Sequence, residues 1–115
     1  TVVGLIPKAV AVKDRIPMNY AASSDTFLKT WIFGGWNTFK IRCVGKYPVI
    51  TTWINGVKIC EFDTGTLKGH RYDREKTAKL LGRSGRIAFE FHDGTGVRWA
   101  KGALCRWRNI LLREL

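Results

Sequence analysis

The feature that most constrains this chain is the dipeptide Asn55-Gly56, which lies between two runs of β-branched and aromatic residues. An Asn-Gly pair favours a type I′ turn, because both central residues of that turn need positive φ angles. Residues 49–54 and 57–62 are therefore predicted to be the two strands of a β-hairpin.

A third strand is predicted immediately before this hairpin. Phe39, Ile41 and Cys43 alternate with polar residues, which indicates a strand with one buried face. Gly45 and Pro48 then bracket a turn. Three successive antiparallel strands are thus expected between residues 36 and 62.

The flanking segments give weaker signals. Residues 1–7 are expected to form a short strand ending at Pro7, and residues 8–35 mainly a long loop. Apolar side chains are expected to pin the second half of that loop to the sheet: Phe27, Leu28, Trp31, Ile32 and Phe33. Residues 73–82, with a capping Asp, good helix formers and a final Gly, predict the one helix.

Residues 85–92 are predicted to form a strand whose outer face carries two groups of chemical interest. Ile87, Phe89 and Phe91 would face the core, so Glu90 and His92 would point the other way, about 7 Å apart at their Cα atoms. A base and its orienting partner could be presented in this way. From spacing alone, an exposed polar face without chemistry is the better interpretation, and His70, in a polar loop, is expected to be solvated.

The C-terminal residues 103–115 are predicted to form the last strand. Their apolar side chains do not keep one parity, so a bulge near Arg108-Asn109 is the simplest way to bury all of them. The residues concerned are Cys105, Trp107, Ile110 and Leu112.

The length and the net charge of the chain limit the functions that it can have. The chain has 115 residues with 45% hydrophobic residues, which is enough for one domain with a core, and it has no apolar run near the roughly 18 residues of a membrane helix. Its start lacks Met and a basic leader region, so a trimmed or internal start is expected. The net charge of +11 raises the question of an anionic partner, but the basic residues are spread over the chain, which argues against nucleic acid.

Cysteine spacing gives no metal or redox motif. Cys43, Cys60 and Cys105 are far apart in sequence and odd in number, so they are expected to be small buried hydrophobic residues. A bridge between Cys43 and Cys60 stays open as the alternative. Neither the residues nor the composition implies a cofactor, and the His, Cys and carboxylate spacings give no metal signature.

Five motifs occur in an order that resembles the 3-keto-disaccharide hydrolase domain family. They are Gly4-Leu5-Ile6-Pro7, Gly35-Trp36-Asn37, Trp53-Ile54-Asn55-Gly56-Val57, Gly85-Arg86-Ile87-Ala88-Phe89-Glu90-Phe91-His92 and Cys105-Arg106-Trp107-Arg108-Asn109-Ile110. The resemblance implies an all-β fold, a concanavalin A-like jelly-roll sandwich of antiparallel strands over residues 1–115 with one short helix, related in architecture to laminin G-like modules.

Two departures from the family pattern are present. The chain resembles the later part of the family domain, so its N-terminal strands are expected to be missing, and a preceding segment or a partner chain would complete the sandwich. In addition, Glu90 stands where the family more often has Gln, which adds a titratable group beside His92.

The resemblance also implies a chemistry. The substrate would be a carbohydrate oxidised at C3, whose acidified C2 proton is removed before the glycosidic oxygen leaves by elimination. His92 matches the motif His and would be the base or electrophile, with Glu90 orienting it or tuning its pKa. Arg98, Trp99 and Lys101 would bind the sugar or polarise the ketone, while Trp53 is either a stacking platform or a buried core residue.

Two other functions stay open. The same sandwich serves non-catalytic carbohydrate-binding modules, since a fold does not imply a function. The positive charge would also suit a domain that binds an anionic polymer or a protein partner. The resemblance suggests a periplasmic or extracellular location, whereas three cysteines argue mildly against an oxidising compartment.

Overall fold

The computed structural model describes residues 18–67, 72–89, 102 and 104–115. The chain divides into two compact units, Thr1–Gly82 and Arg83–Leu115. Among the described residues, all helices and strands belong to the first unit. The expectation of a single domain over residues 1–115 stays a prediction.

The first unit is built on a four-stranded antiparallel sheet in the order β1-β4-β3-β2. The strands are β1 (Tyr20–Ala21), β2 (Phe39–Val44), β3 (Val49–Ile54) and β4 (Val57–Asp63). The three successive strands predicted from the sequence are confirmed, and β1 adds a short edge beside β4. Among the described residues, more of the regular secondary structure is antiparallel strand than helix, which is consistent with an all-β class.

The hairpin turn between β3 and β4 has the predicted backbone. Asn55 has a φ of 48° and Gly56 a φ of 83°, so both central residues are left-handed as a type I′ turn requires. Gly45, in the preceding turn, also has a positive φ of 97°. The two turns fix the register in which the three strands pair.

Two asparagine side chains connect this turn to the rest of the unit. The Asn55 Nδ2 group donates to the Thr30 carbonyl and to Asn37 Oδ1, both at 2.8 Å. The Thr38 amide donates to Asn55 Oδ1 at 2.8 Å. Asn37 in turn accepts from the Ile32 amide at 2.8 Å and donates to the Ile32 carbonyl at 2.9 Å. The two residues act as a bridge between the hairpin, the start of β2 and the preceding segment.

Helix α1 (Ser24–Thr30) lies in the segment that the sequence predicted as a long loop, so that prediction was wrong there. Ser23 caps the helix by accepting from the Thr26 amide at 3.1 Å, and Asp25 pairs with Lys29 at 2.8 Å. The polar cluster that was interpreted as loop is therefore a helix start. The error arose because a seven-residue helix is too short to show clear periodicity.

The buried core of the first unit is small. Phe27 of α1 is 8% exposed and packs with Ile54 and Ile59, which are 3% and 9% exposed. Ile59 is the extra residue of a β-bulge, since pairing passes from Thr52↔Cys60 to Trp53↔Lys58. Phe27 pins the segment to the sheet as predicted. The other proposed pins are exposed, which corrects that expectation: Leu28, Trp31, Ile32 and Phe33.

The sheet has two different faces. Phe39, Ile41 and Cys43 of β2 share the face that carries Ile54, and we call this the apolar face. Phe39 and Ile41 are more than half exposed, because α1 covers only the end of this face near Ile54 and Ile59.

Helix α2 (Arg74–Leu81) confirms the predicted helix. Asp73 caps it by accepting from the Lys76 amide at 2.9 Å, and Gly82 ends it with a φ of 65°. The Glu75 carboxylate accepts hydrogen bonds from Lys46 and Tyr47, which lie in the turn between β2 and β3. No helix among the described residues is long and apolar enough to cross a membrane.

The second unit differs from its predicted strands. Residues 85–89 and 104–115 are described without strand pairing, and Ile87 is 63% exposed rather than buried. Phe89 and Trp107 contact each other with ring centroids 4.8 Å apart. A segment with alternating apolar and polar residues forms a strand only where a neighbouring strand pairs with its backbone. No described residue pairs with the backbone of residues 85–89 or 104–115 in this way.

The predicted bulge falls at a real backbone irregularity, although it lies in no strand. Asn109 has a left-handed φ of 53°. The side chains that the bulge was meant to bury are exposed, which is a correction: Cys105, Trp107, Ile110 and Leu112.

The cysteines also depart from expectation. Cys43 and Cys105 are exposed, Cys60 is half-buried, and all three are free. Cys43 pairs with Ile50 of β3 while Cys60 lies on β4, so two strand spacings separate them. That separation is roughly 9 Å or more, beyond the about 7 Å limit for a disulfide, so the alternative of a Cys43 to Cys60 bridge is wrong.

Candidate functional site

The face of the sheet opposite the apolar face carries a compact group of charged and aromatic side chains, and we call it the polar face. Cross-strand pairing arranges it in two rows. The first row is Arg42, Thr51, Glu61 and Tyr20, and the second is Lys40, Trp53 and Lys58. The rows are neighbours because residues two apart on a strand point the same way.

Trp53 lies at the centre of the second row. It is half-buried, and the Lys40 ammonium stands 4.9 Å from its ring centroid. This distance is typical of a cation–π contact. Trp53 is outside the buried core, since its neighbour Ile54 points to the opposite face. Whether Trp53 is a stacking platform or a core residue of the complete domain stays a prediction.

Two carboxylates lie on the polar face: Glu61 in the first row, and Asp63 two residues further along β4, opposite Val49. The structure describes most contacts for Glu61. Its Oε2 atom accepts from Lys58 Nζ at 2.8 Å and from Thr51 Oγ1 at 3.3 Å. The hydrogen bond from Lys58 lowers the pKa of Glu61 most, partial burial acts in the opposite direction, and Arg42 adds a smaller lowering. Glu61 is thus held ionised, which makes it a poor general base and a good partner for a hydroxyl donor.

Lys58 links the carboxylate to the second aromatic ring. Its ammonium lies 5.0 Å from the ring centroid of Tyr20 while it pairs with Glu61. By contrast, neither Lys40 nor Arg42 forms a salt bridge with any residue in the described part of the chain. The polar face therefore carries three cationic side chains and two carboxylates.

The family model described as the 3-keto-alpha-glucoside-1,2-lyase-like domain matches residues 18–113 of this chain. The chain belongs to this family. Its match covers most of the sequence and confirms the suspected family; four of the five motifs lie within the match, while Gly4-Leu5-Ile6-Pro7 lies outside it. Comparisons with curated proteins and with solved structures gave no match.

Most of the site residues that the sequence suggested for this lyase-like domain lie outside the described residues. They are Glu90, His92, Arg98, Trp99 and Lys101, and their roles stay predictions. Residues 1–7 and His70 also lie outside. Trp53 is the one suggested residue whose surroundings the structure describes.

The structure adds four charged residues to Trp53 that the sequence analysis missed: Lys40, Arg42, Lys58 and Glu61. A signal for them was present. A two-residue turn at Asn55-Gly56 pairs Ile54 with Val57, and Trp53 then falls opposite Lys58. The bulge that shifts the remaining pairs by one residue could not be foreseen, so Glu61 would have been placed opposite Ile50, on the apolar face.

Two motif residues of the lyase-like family have a structural role in this chain. The side-chain amides of Asn37 and Asn55 form hydrogen bonds to backbone carbonyl groups and to each other. They are therefore positioned to hold the hairpin rather than to meet a substrate. No group of three or more His, Cys, Asp or Glu that could hold a metal ion occurs within residues 18–67, 72–89, 102 and 104–115.

Proposed function

We propose that this domain cleaves the glycosidic bond of sugars that are already oxidised at C3. The observation that carries the proposal is the family match over residues 18–113. The family is named for a lyase acting on a 3-keto-α-glucoside, and a 3-keto group changes the chemistry of the bond that must break. The paired carboxylates of ordinary glycosidases are then unnecessary.

The reaction would proceed as an elimination followed by the addition of water. A base removes the C2 proton, the electrons of the C2–H bond form the enolate, and the C3 oxygen takes the negative charge. The enolate then collapses, the C1–O bond breaks, and the leaving oxygen receives a proton. Addition of water across the resulting double bond restores a 3-keto sugar, so the overall change is hydrolysis.

The reaction needs a base at C2, a group that polarises the C3 oxygen and an acid for the leaving oxygen. The candidate residues are close together in sequence. His92 would be the base at C2 or the electrophile at the ketone, and Glu90 would orient its imidazole. Arg98, Trp99 and Lys101 would bind the sugar or stabilise charge on the C3 oxygen.

A concanavalin A-like jelly roll is the fold we propose for the complete domain. The apolar face supports it, since Phe39 and Ile41 are 52% and 59% exposed on one side of an antiparallel sheet. A second sheet packed about 10 Å away would bury such a face. Further strands of the polypeptide, or a partner chain, would supply that sheet, and an exported location fits the resemblance.

A second candidate is a carbohydrate-binding domain without catalysis. The observation in its favour is the half-buried Trp53 on a face that also holds an ionised Glu61. Aromatic rings with nearby hydrogen-bonding groups are what a sugar ring needs for stacking and orientation.

The experiment compares a 3-keto-glucoside with the same glucoside unoxidised, using the full-length native protein. Release of the leaving group is followed for wild type, for His92→Ala and for the matched control His70→Ala. These are the two histidines of the chain, so the control makes the same chemical change elsewhere.

We expect release from the keto sugar alone, lost in His92→Ala and kept in His70→Ala. Glu90→Gln should shift the pH profile of the rate while leaving some activity. Binding of either sugar without release would favour the carbohydrate-binding candidate. Equal cleavage of both sugars would refute the elimination chemistry, since only the ketone acidifies C2.

A further inference from the structure

The polar face carries three cationic side chains and two carboxylates, and only one of the three cations forms a salt bridge within the described residues. Lys58 is engaged by Glu61 at 2.8 Å and by the Tyr20 ring at 5.0 Å. Arg42 and Lys40, two residues apart on β2, are exposed and make no salt bridge within the described residues. Their Cα atoms are about 7 Å apart on the same face, which is within the width of one sugar unit and its substituent.

The contact between Lys40 and Trp53 decides which kind of sugar suits this surface. A neutral ring that stacked on Trp53 would have to displace an ammonium placed 4.9 Å from the ring centroid. A ring that carries an anionic group has no such conflict, because the ammonium can move toward the anion and free the indole. The cation–π contact and the ion pair are comparable in strength at such sites, so the exchange costs little.

Arg42 selects the anion within this arrangement. It lies in the same row as Thr51 and Glu61, next to the row of Lys40 and Trp53. A guanidinium presents two parallel N–H groups that match the two oxygens of a carboxylate. Glu61 is already ionised and would accept a hydrogen bond from a sugar hydroxyl.

We infer that the polar face binds a saccharide bearing a carboxylate, of the uronic acid class. The carboxylate would pair with Arg42 and Lys40, the sugar ring would lie on Trp53, and a hydroxyl would donate to Glu61. This inference rests on the proposed function, because it assigns the charge class of the carbohydrate that the domain takes. It is tested by binding rather than by turnover, so the two can fail separately.

The test uses tetragalacturonate and its fully methyl-esterified form, which share one backbone and differ in charge. Dissociation constants are measured by calorimetry with the whole chain. The variants are Arg42→Gln, Lys40→Gln and the control Lys29→Gln, which removes the same charge from α1. That helix packs on the apolar face through Phe27 and Ile54, on the other side of the sheet. Circular dichroism establishes that each variant is folded.

We expect tetragalacturonate to bind and its ester to bind at least tenfold more weakly. Arg42→Gln and Lys40→Gln should each weaken binding about five- to tenfold, as expected for charged hydrogen bonds. If Arg42→Gln does not fold, Lys40→Gln tests the same surface. Lys29→Gln should change binding less than twofold.

Several results would overturn the inference. Equal binding of acid and ester would show that the carboxylate is irrelevant, and no binding of either would remove the site. An equal loss in Lys29→Gln would mean diffuse attraction by the net charge of +11. Tighter binding of a single-stranded oligonucleotide of matched charge would point to a nucleic acid instead. Cleavage of a neutral 3-keto-glucoside would leave the proposed function standing in each of these cases.

Discussion

The bridge made by Asn55 allows a strict test of what holds the first unit together. In Asn55→Asp the side chain keeps its shape and its Oδ1 acceptor for the Thr38 amide, but it loses the Nδ2 group. Two hydrogen bonds of 2.8 Å, to the Thr30 carbonyl and to Asn37 Oδ1, then become contacts between a carboxylate and two acceptors. The Thr30 carbonyl is also one of the orphan groups at the end of α1.

The expected loss can be worked from these contacts. Each neutral hydrogen bond is worth about 1 kcal/mol, and a part-buried acceptor left facing a like charge adds about 1–2 kcal/mol more. The free energy of unfolding should therefore fall by about 3 kcal/mol, and the melting temperature by roughly 10 °C. Urea titrations followed by fluorescence of the five tryptophans would measure it.

The pH dependence of the unfolding free energy gives a second test of these hydrogen bonds. The carboxyl group in Asn55→Asp faces acceptors, so its pKa in the folded state should rise above the unfolded value. Such a group contributes stability below the unfolded pKa and loses it as the pH rises through the folded pKa. The deficit relative to wild type should therefore shrink below about pH 4, where the protonated acid can donate to Thr30 again.

Asn109→Asp is the matched control. Asn109 has the same left-handed backbone, with a φ of 53° against 48° for Asn55. Its side chain makes no hydrogen bond within the described residues, so the change should cost less than about 0.5 kcal/mol. An equal loss in the two variants, or a deficit in Asn55→Asp that does not respond to pH, would refute the hydrogen-bond account.

Three further predictions concern other parts of the first unit. Phe27→Ala should lower the free energy of unfolding, measured by urea titration, by about 3 kcal/mol. Leu28 is exposed on the same helix, so Leu28→Ala should lower it by less than about 1 kcal/mol. Similar losses in the two variants would contradict the assignment of Phe27 to the core. Pairing with Lys58 depresses the pKa of Glu61, so the ionised carboxylate stabilises the fold at neutral pH and this stabilisation is lost as the pH falls below about 4. The melting temperature of Glu61→Gln should therefore depend less on acid pH than that of wild type. Cys43 should react with a thiol reagent in the folded chain, and mass spectrometry without reductant should detect it as a free thiol; slow labelling would show that it is buried.

The candidate site divides into a part that the sequence could give and a part that it could not. Trp53 was a candidate from the chemistry that the family resemblance implies. Its partnership with Lys40 and Lys58 follows from strand pairing, which joins residues that are not neighbours in sequence. The position of Glu61 depends on the bulge at Ile59, which no local pattern marks. Glu90 and His92 stay predictions of the family resemblance.

The sequence alone determined the parts of this protein that depend on short-range backbone preferences. The Asn55-Gly56 turn and the caps at Asp73 and Gly82 lie where the residues predicted them, because φ angles and capping hydrogen bonds involve only a few neighbouring residues. Strand β3 has its predicted bounds, Val49–Ile54, for the same reason.

Only the tertiary structure decided what depends on surfaces that meet. Helix α1 forms where the sequence suggested a loop, since Phe27 gains burial against Ile54 and Ile59 that no local pattern reveals. Residues 104–115 belong to the segment predicted as a bulged last strand, yet they are described without a strand. Burial and strand pairing need a partner surface, and the identity of that partner is a property of the whole fold rather than of any short segment.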